Sequence, residues 1–155
     1  MKFTPTILNR FVLFKIPSAY FSGVRVESIT DDKTSISVRH RWINQNPFKS
    51  MYWATQGMAS ELATGILMMK SIYNSGKKIS MLVVAQKGEF LKKAKGKIVF
   101  DCTDDGKIQT AIDKAITSGE GQELILISNG VDESGEIVSK FEYHWSIKVK
   151  DSKIT

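Results

Sequence analysis

The sequence of 155 residues has few of the residues that build metal and disulfide sites. It contains one cysteine, Cys102, which excludes both a disulfide framework and a cysteine-rich zinc site. Its two histidines are His40 and His144, so we do not expect a metal cage built from histidines. A single unpaired cysteine is typical of reducing compartments, and we therefore expect a cytoplasmic protein without a metal.

The sequence also lacks a hydrophobic run long enough to cross a membrane. A membrane helix needs about 20 consecutive apolar residues. The least polar stretch, residues 54–73, contains Glu61 and two glycines. The apolar stretch near the N-terminus is interrupted by Arg10 and Lys15, and no small-residue cleavage site follows it. We therefore expect neither a secretory signal nor a membrane span.

Charge and composition are those of a basic globular protein. Lysine and arginine number 22 and aspartate and glutamate 16, which gives a net charge of +6. This excess leaves an anionic partner open. The length predicts a single domain over residues 1–155. Within it, residues 1–22 would form an N-terminal helix with its lead-in, and residues 150–155 a frayed tail.

Hydrophobic periodicity predicts short elements on both sides of a long helix. Thr4 and Pro5 are typical of a helix start, and this helix would place Ile7, Phe11 and Phe14 on one face before Pro17 ends it. A helical period also predicts a second, inserted helix over residues 106–118. Period-two alternation predicts strands over residues 24–30, 34–40, 79–91, 95–103, 123–129 and 137–149. In the last of these, we expect Ile137, Phe141, Tyr143, Trp145, Ile147 and Val149 to face one way.

Residues 54–73 are predicted to form the long helix. Their side chains are small or apolar all round, which indicates a helix buried on every side. An antiparallel sheet with one polar face must bury its other face, and this helix is the element large enough to cover it. The pattern therefore predicts an α+β domain in which a curved antiparallel six-stranded sheet wraps around a long central helix.

Glu61 is the exception in this helix, because it is the only charged residue there before Lys70. A buried carboxylate without a partner costs several kcal/mol. Loop amides or an arginine such as Arg41 would satisfy it in a purely structural role. Alternatively, its pKa is raised and it does acid–base chemistry. Asn46 and the free N–H groups at the helix start would supply the donors that an acyl-transfer site needs.

The order of two strands, a loop, a long helix and four strands resembles the hotdog fold over nearly the whole chain. Residues 46–63 resemble the helix motif of phenylacetate-pathway acyl-CoA thioesterases and of a less characterised thioesterase-like branch. In that motif an Asn stands six residues before His-Gly-Gly, and an acidic residue follows on the helix. Asn46 and Glu61 match its polar residues, whereas Tyr52, Trp53 and Ala54 fall on His-Gly-Gly.

The resemblance implies a homodimer, or a dimer of dimers, in which two sheets pair edge to edge and sites lie between subunits. It implies an acyl-CoA or another acyl thioester as the substrate, with no further cofactor. Glu61 would act as a general base for water or as a nucleophile, and Asn46 would help to hold the carbonyl group or the water. The other expected substrate contacts are Tyr52, Trp53, Ala54, Thr55, Gln56 and Gly57.

A lysine cluster follows the strand predicted over residues 79–91. Lys92, Lys93 and Lys95 are expected around a hairpin turn, where they could attract the phosphates of CoA. The same cluster is typical of a solvated turn that guards a sheet edge. We do not expect nucleic-acid binding, since the aromatic residues of the last strand alternate with its lysines. Cys102 is interpreted as a small buried hydrophobic residue.

Two alternatives stay open. One is a non-catalytic hotdog domain that binds an acyl or lipid-like ligand. It is favoured by Trp53 and Ala54, which replace the two glycines whose N–H groups would approach the thioester oxygen. The other is a different curved-sheet fold, such as the cystatin-like one, in which the helix usually comes first.

Overall fold

The computed structural model describes residues 2–150, and its helices and strands follow the predicted order. The helices are α1 (Pro5–Lys15), α2 (Pro17–Phe21), α3 (Trp53–Asn74) and α4 (Lys107–Ser118). The strands are β1 (Arg25–Ile29), β2 (Lys33–Arg39), β3 (Ile79–Phe90), β4 (Lys97–Thr103), β5 (Gln122–Val131) and β6 (Ile137–Val149). A short 3₁₀ helix, Trp42–Asn44, lies between β2 and α3. Residues 151–155 of the predicted frayed tail lie outside the described residues.

The six strands form one antiparallel sheet in the order β1-β2-β4-β5-β6-β3. Its inner face packs against α3, where Ile66, Leu67 and Met68 are fully buried. On β4, the alternating residues Phe100 and Cys102 are buried as the period-two pattern predicts. The predicted α+β architecture, a hotdog fold with a curved sheet around a long helix, is confirmed. None of the helices between residues 2 and 150 is long and apolar enough to cross a membrane.

The N-terminal helix buries a different face from the predicted one. Leu8 and Val12, one turn apart, are fully buried, whereas Phe14 is 78% exposed. The Asn9 side chain donates to the Val26 carbonyl oxygen at 3.0 Å and accepts from the Val26 N–H at 2.9 Å. These bonds hold α1 against β1 so that Leu8 and Val12 point into the core. The prediction that Ile7, Phe11 and Phe14 form the buried face of this helix was therefore wrong.

The last strand also departs from strict alternation at its start. The register between β5 and β6 shifts after Gly130, which leaves Val138 as an extra residue on β6. The shift turns Ile137 to the other face, where it is 38% exposed, while Val138 is buried. The predicted orientation of Ile137 was therefore wrong, whereas Phe141, Tyr143, Trp145 and Ile147 are buried as expected.

The lysine cluster does not lie at a hairpin turn. β3 pairs with β6 at one edge of the sheet, and two strands, β6 and β5, lie between β3 and β4. The segment 91–96 therefore crosses from the edge towards the middle. On the way, the Leu91 N–H donates to the Val138 carbonyl oxygen and the Met51 N–H to the Ala94 carbonyl oxygen, each at 2.9 Å. The predicted hairpin was wrong because β3 follows a long helix and pairs at the far edge.

Candidate active site

Glu61 lies in the third turn of α3 and lines a small surface cavity of about 310 Å³. We call this cavity the Glu61 cleft. Helix α3 forms one wall, β3 contributes Gln86, and β6 contributes Phe141 and Tyr143. Its lining residues are Trp53, Ala54, Gly57, Met58, Glu61, Gln86, Phe141 and Tyr143. Most of the wall is apolar, so the carboxylate faces a surface that solvates charge poorly.

The Glu61 carboxylate has no partner among residues 2–150. Neither Arg41 nor a loop amide bonds to it, and no lysine or arginine forms an ion pair with it. Its partial burial raises the pKa of the Glu61 carboxyl above the ordinary value, and loss of hydration is the cause. A carboxyl group perturbed in this way at a cleft is a candidate catalytic acid or base.

Gly65, one turn after Glu61, provides the space in which the carboxylate lies. A Cβ at position 65 would stand 3.3 Å from Glu61 Oε1 and 3.4 Å from Trp145 Cη2. The Trp145 indole N–H donates to Thr64 Oγ1 at 3.0 Å, and the Thr64 hydroxyl donates to the Glu61 carbonyl oxygen at 2.9 Å. The surface under the carboxylate is thus held in place from both α3 and β6.

Two side chains beside the cleft were missed by the sequence analysis. The Ser60 and Tyr143 hydroxyl oxygens are 2.6 Å apart, and each lies 3.0 Å from the Gly57 carbonyl oxygen. Burial raises the pKa of Tyr143 to about 12, although its bond with Ser60 opposes this, and the Glu61 charge adds to the rise. Tyr143 therefore keeps its proton at neutral pH and is a hydrogen-bond donor at the cleft wall.

The first turn of α3 presents two backbone N–H groups that donate to no acceptor among residues 2–150. The Tyr52 carbonyl oxygen accepts from the N–H groups of Thr55 and Gln56, at 3.1 and 3.4 Å. Trp53 and Ala54 precede these positions, and their N–H groups find no acceptor between residues 2 and 150. Trp53 and Ala54 both line the Glu61 cleft. Trp53 and Ala54, which carry two of the predicted donors, therefore line the same cavity as the predicted carboxylate.

Asn46 lies in a second cavity of about 510 Å³, which we call the loop cavity. It lies between the loop before α3 and the segment after β3, and Trp53 is the residue that it shares with the Glu61 cleft. The Asn46 side chain is engaged within its own loop. Its Oδ1 accepts from the Phe48 N–H at 2.9 Å and its Nδ2 donates to Ser50 Oγ at 3.0 Å. Within one chain, Asn46 and Glu61 therefore do not meet.

The other predicted substrate contacts divide between the two cavities. Tyr52 and Gln56 line the loop cavity, Ala54 and Gly57 line the Glu61 cleft, and Thr55 is buried and lines neither. The remaining walls of the loop cavity are Pro47, Phe48, Ser50, Met51, Phe90, Leu91, Lys92, Lys93 and Ala94.

Helix α3 is not buried on every side, so that prediction was wrong along one stripe. Ala54, Gly57, Met58 and Glu61 are only half-buried, because the sheet wraps the remaining sides of the helix. These are the residues that α3 contributes to the Glu61 cleft, together with Trp53.

The candidate phosphate contacts differ in their charge balance. Lys92 forms ion pairs with Asp132, at 3.0 Å, and with Glu136. Lys93 donates to the Phe48 carbonyl oxygen at 3.4 Å, and neither it nor Lys95 pairs with an acidic side chain in the described part of the chain. Of the three candidate phosphate contacts, Lys93 and Lys95 are therefore the lysines whose charge is not neutralised by an acidic side chain among residues 2–150.

Cys102 is a buried hydrophobic residue, as interpreted. Its side chain is fully buried on β4. Burial raises the pKa of the thiol to about 12, so it is not a thiolate at neutral pH. Over residues 2–150, no group of three or more His, Cys, Asp or Glu side chains is placed to hold a metal ion.

Comparison with solved structures finds the same fold in several bacterial proteins. PA5026 from Pseudomonas aeruginosa, a protein of unknown function called a probable thioesterase, is 24% identical with a TM-score of 0.81, over 95% of this chain and 97% of that one. Thioesterase HI1161 from Haemophilus influenzae is 11% identical with a TM-score of 0.75, over 100% and 97% of the two chains. A variant of thioesterase PA1618 from Pseudomonas aeruginosa is 10% identical with a TM-score of 0.72, over 97% of each chain.

These similarities establish the fold. They confirm the fold that the sequence resemblance to hotdog-fold thioesterases implies. The comparison with curated proteins found no match. The family model described as a domain of unknown function, DUF4442, matches residues 4–147. The chain therefore belongs to the DUF4442 family.

Proposed function

We propose that the protein hydrolyses acyl thioesters, with acyl-CoA as the expected substrate class and Glu61 as general base or nucleophile. One observation carries this proposal: the unpaired Glu61 carboxylate, with a raised pKa, in an apolar cleft. A structural carboxylate at such a site would be expected to have a cation or several donors beside it. Further support comes from the fold that the chain shares with thioesterases HI1161 and PA1618.

In the proposed reaction, the N–H groups of Trp53 and Ala54 hold the thioester oxygen. Negative charge develops on this oxygen in the transition state, and the positive end of the α3 dipole stabilises it. Glu61 takes a proton from water as the water oxygen attacks the carbonyl carbon. The carbon–sulfur bond then breaks, the leaving thiolate takes the proton that Glu61 accepted from water, and the products are a carboxylic acid and a free thiol.

The proposal includes a homodimer formed through β3. One side of β3 pairs with β6, and no strand between residues 2 and 150 covers its other side. Leu82 and Val84 on β3 are 65% and 48% exposed. An exposed apolar edge strand is a template for pairing with a second sheet. A site completed between subunits would also account for Asn46 and Glu61 lying in separate cavities of one chain. A dimer of dimers and a cytoplasmic location stay predictions.

The proposal assigns the phosphates of CoA to Lys93 and Lys95. Their charges are not neutralised by neighbouring acids, whereas the charge of Lys92 is. Lys93 also lines the loop cavity, which extends from Trp53 away from the Glu61 cleft.

A second candidate function is non-catalytic binding of an acyl or lipid-like ligand. It is favoured by Trp53, which lines both cavities and stands at a position where the thioesterase motif has glycine. A large indole at this point narrows the approach of a thioester to the N–H groups.

Thiol release from a series of acyl-CoA substrates separates the two candidates. We expect the full-length protein to release thiol from at least one substrate in a series from acetyl-CoA to palmitoyl-CoA that includes phenylacetyl-CoA. If no substrate releases thiol while a non-hydrolysable acyl-CoA ether binds, the protein is a binding domain. If neither turnover nor binding is detected, both candidates are wrong.

A further inference from the structure

Large apolar side chains project into solvent from the loop between β2 and α3. Trp42 is 84% exposed, Ile43 56% and Phe48 71%. The segment after β3 lies beside this loop, since the Met51 N–H bonds to the Ala94 carbonyl oxygen at 2.9 Å and Lys93 Nζ bonds to the Phe48 carbonyl oxygen at 3.4 Å. We call this surface the apolar–basic patch; it consists of Arg41, Trp42, Ile43, Phe48, Lys49, Leu91, Lys93 and Lys95.

The charge of the apolar–basic patch has one sign. No acidic residue occurs between Asp32 and Glu61 or between Glu89 and Asp101 in the sequence. The neighbouring cations Arg39, Lys92 and Lys97 are paired with acidic side chains. Those of the patch, which are Arg41, Lys49, Lys93 and Lys95, form no ion pair with any of residues 2–150.

Side-chain hydrogen bonds fix the loop that carries Trp42, Ile43 and Phe48. Asn44, next to Ile43, is 3% exposed, and its Nδ2 donates to the carbonyl oxygens of Ser22 and Arg39 at 2.9 Å each. Phe48 lies within the turn that begins at Asn46, whose Oδ1 accepts from the Phe48 N–H at 2.9 Å. Because these bonds fix the backbone, the exposure of Trp42, Ile43 and Phe48 is a property of the folded loop.

We propose that the apolar–basic patch docks on the surface of a bilayer that contains anionic lipids. Exposed apolar patches of this kind mark interaction sites, and tryptophan is enriched at the headgroup level of membranes. Unpaired lysines and arginines beside it are attracted to the negative surface potential. Trp42, Ile43 and Phe48 are on the loop before α3 and Leu91 is on the segment after β3, so the exposed apolar side chains come from two neighbouring segments.

Docking in this way would also bear on the substrate. Phe48, Leu91 and Lys93 belong both to the patch and to the wall of the loop cavity. A long-chain acyl thioester partitioned into the bilayer would therefore meet the cavity without crossing water. This extension rests on the proposed hydrolase, whereas membrane docking does not depend on turnover.

Sedimentation of the full-length protein with vesicles tests the docking. We expect binding to an equimolar mixture of phosphatidylcholine and phosphatidylglycerol, and little binding to phosphatidylcholine alone. The double variant Arg41→Gln/Lys49→Gln is expected to bind about thirtyfold more weakly, since each cation contributes roughly fivefold near an anionic surface. Trp42→Ala is expected to bind about tenfold more weakly, because one large apolar side chain no longer enters the interface.

Matched controls lie elsewhere on the chain. Lys77→Gln/Lys78→Gln removes two exposed cations at the opposite end of α3, and Phe14→Ala removes an apolar side chain that is 78% exposed. Both are expected to bind like the unchanged protein, and Trp42→Ala is expected to keep the rate on soluble acetyl-CoA if the proposed hydrolase is correct.

Several results would overturn the docking proposal. They are absence of binding to the mixed vesicles, equal loss in the control variants, and equal binding to neutral and anionic vesicles. Binding of an oligonucleotide or an acidic protein in place of vesicles would assign the patch to another class of partner. A change in oligomeric state in Trp42→Ala would assign it to a contact between copies. Vesicle binding by a protein that lacks hydrolytic activity would contradict only the proposed function.

Discussion

The Glu61 carboxylate lies directly against the side of Gly65 that carries no side chain, since a Cβ on Gly65 would stand 3.3 Å from Oε1, closer than an ordinary contact. Glycine inside a helix costs about 1 kcal/mol relative to alanine. Here that cost leaves room for a carboxylate between α3 and the Trp145 ring. The helix-destabilising glycine at position 65 thus makes room for the carboxylate of Glu61, which we propose as the catalytic group.

Gly65→Ala is expected to lower the rate of thiol release about tenfold or more, because the new methyl group displaces the carboxylate. The free energy of unfolding should change by less than about 1 kcal/mol, since better helix propensity offsets the tight contact. Gly57→Ala is the matched control for stability. Nothing lies within 4 Å of a Cβ at position 57. This change should raise the free energy of unfolding by about 0.5–1 kcal/mol. Full activity in Gly65→Ala would contradict the role of this space.

The stability of the protein should depend on pH through Glu61. Because burial raises the pKa of Glu61 in the folded state, folded Glu61 holds its proton more tightly than the unfolded chain does. Its contribution to stability is therefore complete below the ordinary pKa of about 4.3. That contribution is lost as the pH rises through the higher, folded pKa. Glutamine does not titrate, so Glu61→Gln does not lose stability as the pH rises. Relative to the unchanged protein, the free energy of unfolding of the variant should therefore increase between the unfolded and the folded pKa of Glu61, and it should stay higher at every pH above the folded pKa.

Urea unfolding of both proteins at stepwise pH values from 4 to 8 measures this difference. The same measurement on Glu123→Gln serves as a control, since Glu123 is exposed on β5 and forms no ion pair with any of residues 2–150. A difference between Glu61→Gln and the unchanged protein that stays constant across the range would contradict the raised pKa.

The hydroxyl pair of Ser60 and Tyr143 should be coupled in stability. Tyr143→Phe is expected to cost about 1–2 kcal/mol, because Ser60 and the Gly57 carbonyl oxygen lose a buried partner. Ser60→Ala should cost about 1 kcal/mol. In the double variant the losses should fall short of their sum by at least about 0.5 kcal/mol. Strict additivity in denaturant unfolding would show that the 2.6 Å contact contributes no pairwise energy.

A charge on the free edge of β3 should break the proposed dimer. Val84→Lys places a cation on an exposed position of the edge strand, where it would oppose pairing with a second copy. Light scattering is expected to give the mass of a dimer for the unchanged protein and of a monomer for the variant. Ile127→Lys is the control, since Ile127 is 53% exposed but lies on β5, inside the sheet. A dimer in Val84→Lys, or a monomer in Ile127→Lys, would place the interface elsewhere.

The fold could be predicted because its signals are local. Alternation over the strands and an apolar helix of small residues indicate a curved sheet wrapped around α3, and the order of the elements favours the hotdog fold over one in which the helix comes first. The errors occur where tertiary contacts decide between equal local choices. The Asn9 bonds to Val26 select the buried face of α1, and an extra residue at Val138 turns Ile137 outward. Neither contact leaves a periodic signal in the sequence.

The candidate site was predictable only in part. Glu61 stands out as the only charged residue of the helix before Lys70, and the N–H groups at Trp53 and Ala54 follow from the helix start. Tyr143 could not be assigned to the site, since its contact with Ser60 joins residues that are 83 positions apart. The separation of Asn46 from Glu61 depends on the Asn46 side chain bonding within its own loop, which a motif does not reveal.

The most direct test of the central claim compares the rate of thiol release by the unchanged protein with that by Glu61→Gln, on whichever acyl-CoA is turned over fastest. Glutamine keeps the shape of the side chain and cannot take a proton from water. Loss of a positioned general base is worth roughly a hundredfold to ten-thousandfold. We therefore expect kcat to fall by at least about a hundredfold in a variant that unfolds no more readily than the unchanged protein. Equal rates in the two proteins would contradict the assignment of Glu61 as the catalytic group.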